Sequence, residues 1–225
     1  MSARYAIYHT PPADHPLWQA GCTWLGRDPA SDAAPPPPSR RAGPWRYGFH
    51  ATLKPPMRLA EGCSLQGLHG ALCALSQRLS GFDMPALQVG TLDNFIVLEP
   101  AEPLAADHPL HQLAALCVTE LDGFRGPLTP ADLTRLQAGG PLDDEQRALL
   151  TRWGYPHVLG RWRCHYTLSD PVAEDGERQI WLELARTFFA PALERPWRSE
   201  ALSLFVEPSA GAPLQLLRRY PLARG

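Results

Sequence analysis

Apolar and polar positions along this chain alternate with the two-residue period of a strand in several short stretches, and recur at helical spacing between them. Arg4 to Tyr8 (RYAIY) reads as a first strand. Tyr47 to Leu53 reads as a second, with Phe49, Ala51 and Leu53 on one side and His50, Thr52 and Lys54 on the other. Ser64 reads as the N-cap of a helix carrying Leu65, Leu68, Leu72, Leu75 and Leu79, with Gly81 as its stop. Leu87 to Leu98 is strand material turning at Asp93-Asn94, and Pro109 to Leu121 is helical. Between Gly123 and Gly160, Thr129-Pro130 and Asp143 each open a helix, the second ending at Trp153-Gly154. Tyr155 before Pro156 is extended. Gly160 to Ser169 reads as a strand, and Glu177 to Leu193 as a helix with Ile180, Leu184 and Phe188 on one line. Glu200 to Glu207 and Gln215 to Tyr220 close the series as strands. The tract Pro35 to Pro38, within the polar stretch 28–44, cannot pair in a sheet and reads as an extended, mobile loop.

One polar face stands out. A strand that sets an imidazole, a hydroxyl and an ammonium side by side, as His50, Thr52 and Lys54 do, gains nothing in packing from them. The phrase recurs: His165-Tyr166-Thr167 is again His-x-Thr followed by leucine. Both motifs precede a helix and then strands, and FIVLEP (Phe95 to Pro100) echoes LFVEP (Leu204 to Pro208). Two copies of one unit are expected, over 45–122 and 160–220, with a helical insertion at 123–159 in a single bilobal domain covering 1–225. The expected class is α+β: two pseudo-symmetric lobes whose antiparallel sheets flank a central cleft, with helices on the outer faces.

Composition narrows the function classes. With 225 residues and 44% hydrophobic content the chain can bury a real core. A formal net charge of -2 gives no global basic field for long nucleic acid or anionic membrane. No apolar run approaches the ~20 residues of a membrane span, and MSARYAIYHT lacks the features of a signal peptide. The five cysteines are odd in number and scattered, with no C-x-x-C. A cytoplasmic protein with reduced thiols is expected.

If the two motifs face each other, two imidazoles (His50, His165), two hydroxyls (Thr52, Thr167) and several cations converge on one small anion. Phosphodiester hydrolysis uses this inventory: a base for water, an acid for the leaving oxygen, donors for the non-bridging oxygens. Lys54 and Arg163 are the candidate cations, with Tyr47, Arg125 and Tyr155 as further binding candidates. No H-x-H or H-x-x-x-H spacing or nearby carboxylate set suggests a metal, and no cofactor is required. Cys164, adjacent to His165, points to the opposite face of its strand and is expected in the core.

The paired H-x-T motifs in this order resemble the 2H phosphoesterase superfamily. The phrases RYAIY, YGFHATLKPP, LDGFRGPL, WGYP and RWRCHYTLS are together similar to one bacterial branch of it, often assigned to phosphonate metabolism and encoded near carbon-phosphorus lyase genes. Cys164 departs from the phenylalanine expected there, and the 28–44 loop is longer. The resemblance implies a two-lobed α+β fold and metal-independent hydrolysis of a small cyclic phosphate or related phosphodiester. An RNA-end or nucleotide 2′,3′-cyclic phosphodiesterase is the enzymatic alternative, although no basic aromatic stripe for single strands is present. A non-catalytic binder of a phosphorylated metabolite is the alternative of another class. The expected partner is a small phosphorylated substrate; no protein partner is inferable.

Overall fold

The computed structural model describes residues 3–137 and 140–223. In chain order the elements are β1 (Arg4–His9), α1 (Pro16–Leu25), α2 (Ala42–Tyr47), β2 (Ala51–Met57), α3 (Leu65–Ser76), β3 (Phe82–Asp83), β4 (Leu87–Leu92) and β5 (Phe95–Pro100). There follow α4 (Pro109–Thr119), α5 (Pro130–Gln137), α6 (Asp144–Trp153), β6 (Tyr166–Thr167), α7 (Asp175–Leu193), β7 (Arg198–Ser199), β8 (Ala201–Glu207) and β9 (Gln215–Pro221). The fold is α+β, as expected. Seven strands lie in the order β4-β5-β6-β2-β1-β8-β9, every neighbouring pair antiparallel, and β3 pairs with β7 apart from them.

The sheet is two antiparallel halves joined at one point. β6 meets β2 through the single pair Ala51↔Tyr166. The hairpin β4–β5 pairs with β6, the strand of the other motif, and β1 stands between β2 and β8. The phrase FIVLEP therefore lies beside a His-x-Thr strand, whereas LFVEP lies one strand further out, so the echo marks non-equivalent places.

One face of the sheet carries the main core, where Ile7, Phe49, Ala51, Leu53, Leu98 and Tyr166 meet the buried faces of α1, α3, α4 and α7. On the opposite face Ala6, Tyr8, Phe205 and Leu214 form a smaller cluster. Asp132 of α5 pairs with Arg4 and Arg58 there, which brings part of the insertion over that face. No helix among the described residues is long and apolar enough to cross a membrane.

Four local expectations change. Residues 42–47 are helical: the Asp170 carboxylate accepts from the Ala42 and Gly43 amides at 3.0 and 2.7 Å, satisfying the open N-terminus. Gly48, at φ 80°, ends that helix and delays the strand to Ala51. The strand expected over 160–169 shrinks to Tyr166–Thr167, because the Trp162 indole donates to the Thr52 carbonyl at 2.7 Å and replaces a ladder bond. The α3 helix ends at Ser76, short of Leu79. α1 was not anticipated, although Leu17, Trp18, Gly21, Trp24 and Leu25 have helical spacing. The line Ile180, Leu184 and Phe188 faces outward, and Ala185, Phe189 and Ala192 make the packed face of α7.

Candidate active site

The joining pair positions the two motifs. Ala51 and Tyr166 both point into the main core, so their neighbours His50, Thr52, His165 and Thr167 fall on the opposite face. Antiparallel register about that pair sets His50 across from Thr167 and Thr52 across from His165. All four are half-buried.

The rings are held in the same way. His50 Nδ1 lies 2.8 Å from the Gly48 carbonyl, and His165 Nδ1 lies 3.0 Å from the Arg163 carbonyl, each two residues back in the chain. A carbonyl only accepts, so each Nδ1 carries the proton and each neutral ring presents the Nε2 lone pair. His50 Nε2 sits 3.2 Å from Thr52 Oγ1 and accepts from that hydroxyl. Burial lowers the His50 pKa to about 4; the Gly48 carbonyl opposes this and His165 adds to it. Burial also lowers His165, with His157 and Arg163 contributing and Asp93 opposing. Both imidazoles are neutral near pH 7, and a charge on His165 is felt at His50.

Aromatic rings wall the site. Tyr8 stacks on His50 with centroids 3.6 Å apart, and Tyr47 lies 6.3 Å from it. Tyr155 shares this region, since its phenol and Tyr47 both act on the ionisation of Tyr8. Arg163 is exposed, and its charge reaches His165. The remaining cations expected at the site lie elsewhere. A bulge between Thr52 and Lys54 pairs Lys54 with Ile7, turning it to the core face. There, 1% exposed, Lys54 donates from Nζ to the Val118 carbonyl at 3.1 Å and to Asp122 Oδ1 at 3.3 Å. Arg125 grips the same carboxylate through Nε and Nη2, at 2.8 and 3.1 Å, and the Arg152 carbonyl. Neither Lys54 nor Arg125 belongs with the histidines.

Sequence reasoning missed Tyr8 and the arginine cluster on its face, although the alternation Arg4, Ala6, Tyr8 in β1 was there to be read. Cys164 is buried in the core as expected, its thiol pushed up to about 12 by burial. Among the described residues no group of three or more His, Cys, Asp or Glu is placed to hold a metal ion. A cavity of about 990 Å³ lies within the insertion, against Leu128, Leu133 and Leu150, and contains neither histidine.

The chain is 36% identical over 223 residues to the ribose 1,5-bisphosphate phosphokinase PhnN of Laribacter hongkongensis, covering 96% of this chain and 51% of that protein. It is 36% identical over 234 residues to the PhnN of Janthinobacterium sp., covering 98% of this chain and 51% of that protein. The chain thus spans about half the length of these curated relatives. Among solved structures it is similar to a phosphoesterase, with TM-score 0.48 and 14% identity across 100% of both chains. It is also similar to E. coli LigT complexed with phosphate, with TM-score 0.42 and 14% identity across 98% of both. A family model described as "Protein of unknown function (DUF1045)" matches residues 52–215. With nearly three quarters of its length matched by that model, the chain belongs to the DUF1045 family.

Proposed function

We propose that this protein is a metal-independent phosphodiesterase that opens a small cyclic phosphate or related phosphodiester, in the cytoplasm and in the service of phosphonate metabolism. The observation that carries the reading is the pair of identically held imidazoles, each with Nδ1 on the carbonyl two residues back, across one strand boundary. His50 and His165 are the acid–base pair, Thr167 donates to a non-bridging oxygen, Thr52 does so once its hydroxyl turns from His50 Nε2 to the bound substrate, and Arg163 offsets charge on the phosphoryl group. Tyr47 and Tyr155 wall the pocket on the substrate side.

His50 is assigned as the base: its Nδ1 proton is held by the Gly48 carbonyl, its Nε2 lone pair already accepts from a hydroxyl, and burial keeps the ring neutral. Its Nε2 takes a proton from water as the water oxygen bonds to phosphorus. The P–O bond to the leaving oxygen breaks, and that oxygen takes its proton from protonated His165 Nε2. His165 is neutral in the free protein near pH 7, so the dianionic or monoanionic substrate must raise its pKa on binding. The name of the PhnN relatives, ribose 1,5-bisphosphate phosphokinase, about half of whose length this chain matches, favours a ribosyl cyclic phosphate over an RNA end.

The test is a panel of cyclic phosphates, including ribose 1,2-cyclic phosphate and nucleoside 2′,3′-cyclic phosphates, assayed in EDTA. Turnover with a bell-shaped pH dependence is expected. Loss of activity on chelation, restored by one divalent ion, contradicts the mechanism.

A further inference from the structure

The face of the sheet that carries the two histidines also carries a cluster of charge that the hydrolytic scheme does not use. Arg4 in β1 stands opposite Glu207 in β8, and Tyr8, four residues along, stands opposite Thr52. Around this end four guanidiniums meet two carboxylates. Arg4 and Arg46 bond Glu207, which is 1% exposed, while Arg4, Arg58 and Arg135 surround Asp132, which is 4% exposed. Burial pushes the Asp132 carboxyl up, but hydrogen bonds from Arg58 and Thr129 outweigh it and hold the group well below the usual range. Both carboxylates are therefore charged near neutral pH, and four positive charges against two leave an excess of two.

Two of these arginines have donors to spare. Among the described residues, Arg58 bonds only Asp132 through Nη2, and Arg46 uses Nη2 on Glu207 and Nε, at 3.5 Å, on the Ala212 carbonyl. Their side chains are 27% and 26% exposed. Arg46 lies over the Tyr47 ring at 5.2 Å, and Tyr47 lies 6.3 Å from His50, so guanidinium and imidazole are no more than about 11.5 Å apart. An independent feature lies along the way: the Tyr8 hydroxyl is fully buried and has no partner among the described residues. A buried hydroxyl left unbonded is costly unless something binds it. Its ring rests on His50, and it is within electrostatic reach of Arg4 and Glu207.

We propose that this end of the face is a second anion subsite, in which Arg46 and Arg58, backed by Arg4, hold a phosphomonoester remote from the scissile diester while the Tyr8 hydroxyl donates to the substrate between the two. The inference rests on the phosphodiesterase reading and narrows its substrate to a phosphodiester bearing a second phosphate on the same small scaffold, such as a sugar. Guanidinium forks suit that group, since they bond two oxygens of a phosphoryl at once.

The test is calorimetric and independent of turnover. Ribose 5-phosphate and ribose 1,5-bisphosphate are titrated into the parent, Arg46→Gln, Arg58→Gln and a His50→Ala/His165→Ala double variant. In the parent the bisphosphate is expected to bind at least tenfold more tightly than the monophosphate. That ratio should fall to within about threefold of unity in Arg46→Gln, fall partly in Arg58→Gln, and be lost in the double histidine variant, which removes the other anion's site. Equal affinities in the parent, a comparison that needs no variant, overturn the subsite. So does an unchanged ratio in both arginine variants. A tenfold ratio abolished by Arg46→Gln, in a protein that hydrolyses no cyclic phosphate, upholds the subsite and removes the catalytic reading instead.

Discussion

Lys54 separates a structural cation from a catalytic one, and the energetics can be worked from its neighbours. In Lys54→Met the aliphatic stem is kept and the ammonium removed. Two hydrogen bonds are lost, to the Val118 carbonyl in the last turn of α4 and to Asp122. Asp122 is not orphaned, because Arg125 still bonds both its oxygens and Arg152 stands 3.8 Å away. The full penalty of ~3–5 kcal/mol for stranding a buried charge therefore does not apply. What remains is an unsatisfied carbonyl, ~1–3 kcal/mol, offset in part by no longer burying an ammonium. A loss of about 1–2 kcal/mol is expected. Asp122→Ala does strand Lys54, which is almost fully buried, and should cost ~3–5 kcal/mol. Burial lowers the Lys54 pKa, with Asp122 opposing. The unfolded chain thus holds this proton to higher pH than the folded one, and the parent gains stability relative to Lys54→Met as pH rises through that alkaline window. Urea unfolding at pH 7 and pH 10 measures all three quantities. Activity of Lys54→Met on the best cyclic phosphate should stay within about fivefold of the parent, since no transition-state contact is removed. A variant of parental stability that has lost a hundredfold or more in rate refutes this placement and returns Lys54 to the phosphate.

His9, buried with Nδ1 2.7 Å from the Tyr166 hydroxyl and Nε2 2.8 Å from Ser199 Oγ, has its pKa lowered to about 4 by burial. Below about pH 6.5 the unfolded chain takes up a proton that the folded chain refuses until about pH 4, so stability falls as pH drops through that window. Between pH 7 and 5 this residue should account for about 2 kcal/mol, read as the extra loss of the parent over His9→Gln in urea titrations; equal losses in both would contradict it. Gly21 faces Phe49, whose ring would lie 2.2 Å from an added Cβ, and that ring is pinned between Tyr166 and Phe189. Gly21→Ala should destabilise by ~1–3 kcal/mol, and slow turnover as well because Phe49 precedes His50; parental melting would rule out the overpacking.

Most elements were legible because their signals are local. Ser64 and Asp143 cap helices by their own side chains, and Asp93-Asn94 turns a hairpin whatever surrounds it. The His-x-Thr face was legible too, since strand parity is a two-residue property. Parity failed at Lys54, where a bulge reverses it, and a bulge is set by the partner strand. Helical spacing along α7 did not say which stripe packs: the smaller Ala185 and Ala192 face the sheet, and the larger Ile180 and Leu184 face out. Tyr8 and the Arg4–Glu207 pair escaped notice because they become neighbours of the site only through the pairing of β1 with β2 and β8, contacts that span up to 203 positions.

The two-histidine mechanism is tested most directly by initial rates on one cyclic phosphate, in EDTA, for the parent, His50→Ala, His165→Ala and the double variant. Each single substitution removes a proton-transfer group and should lower the rate by ~10²–10⁴. The pair acts as a unit, so the double variant should lose far less than the product of the singles. A substrate with a very good leaving group should rescue His165→Ala and leave His50→Ala slow, as the assignment of acid and base requires. Near-parental rates in both single variants, on every substrate the parent turns over, would contradict the mechanism.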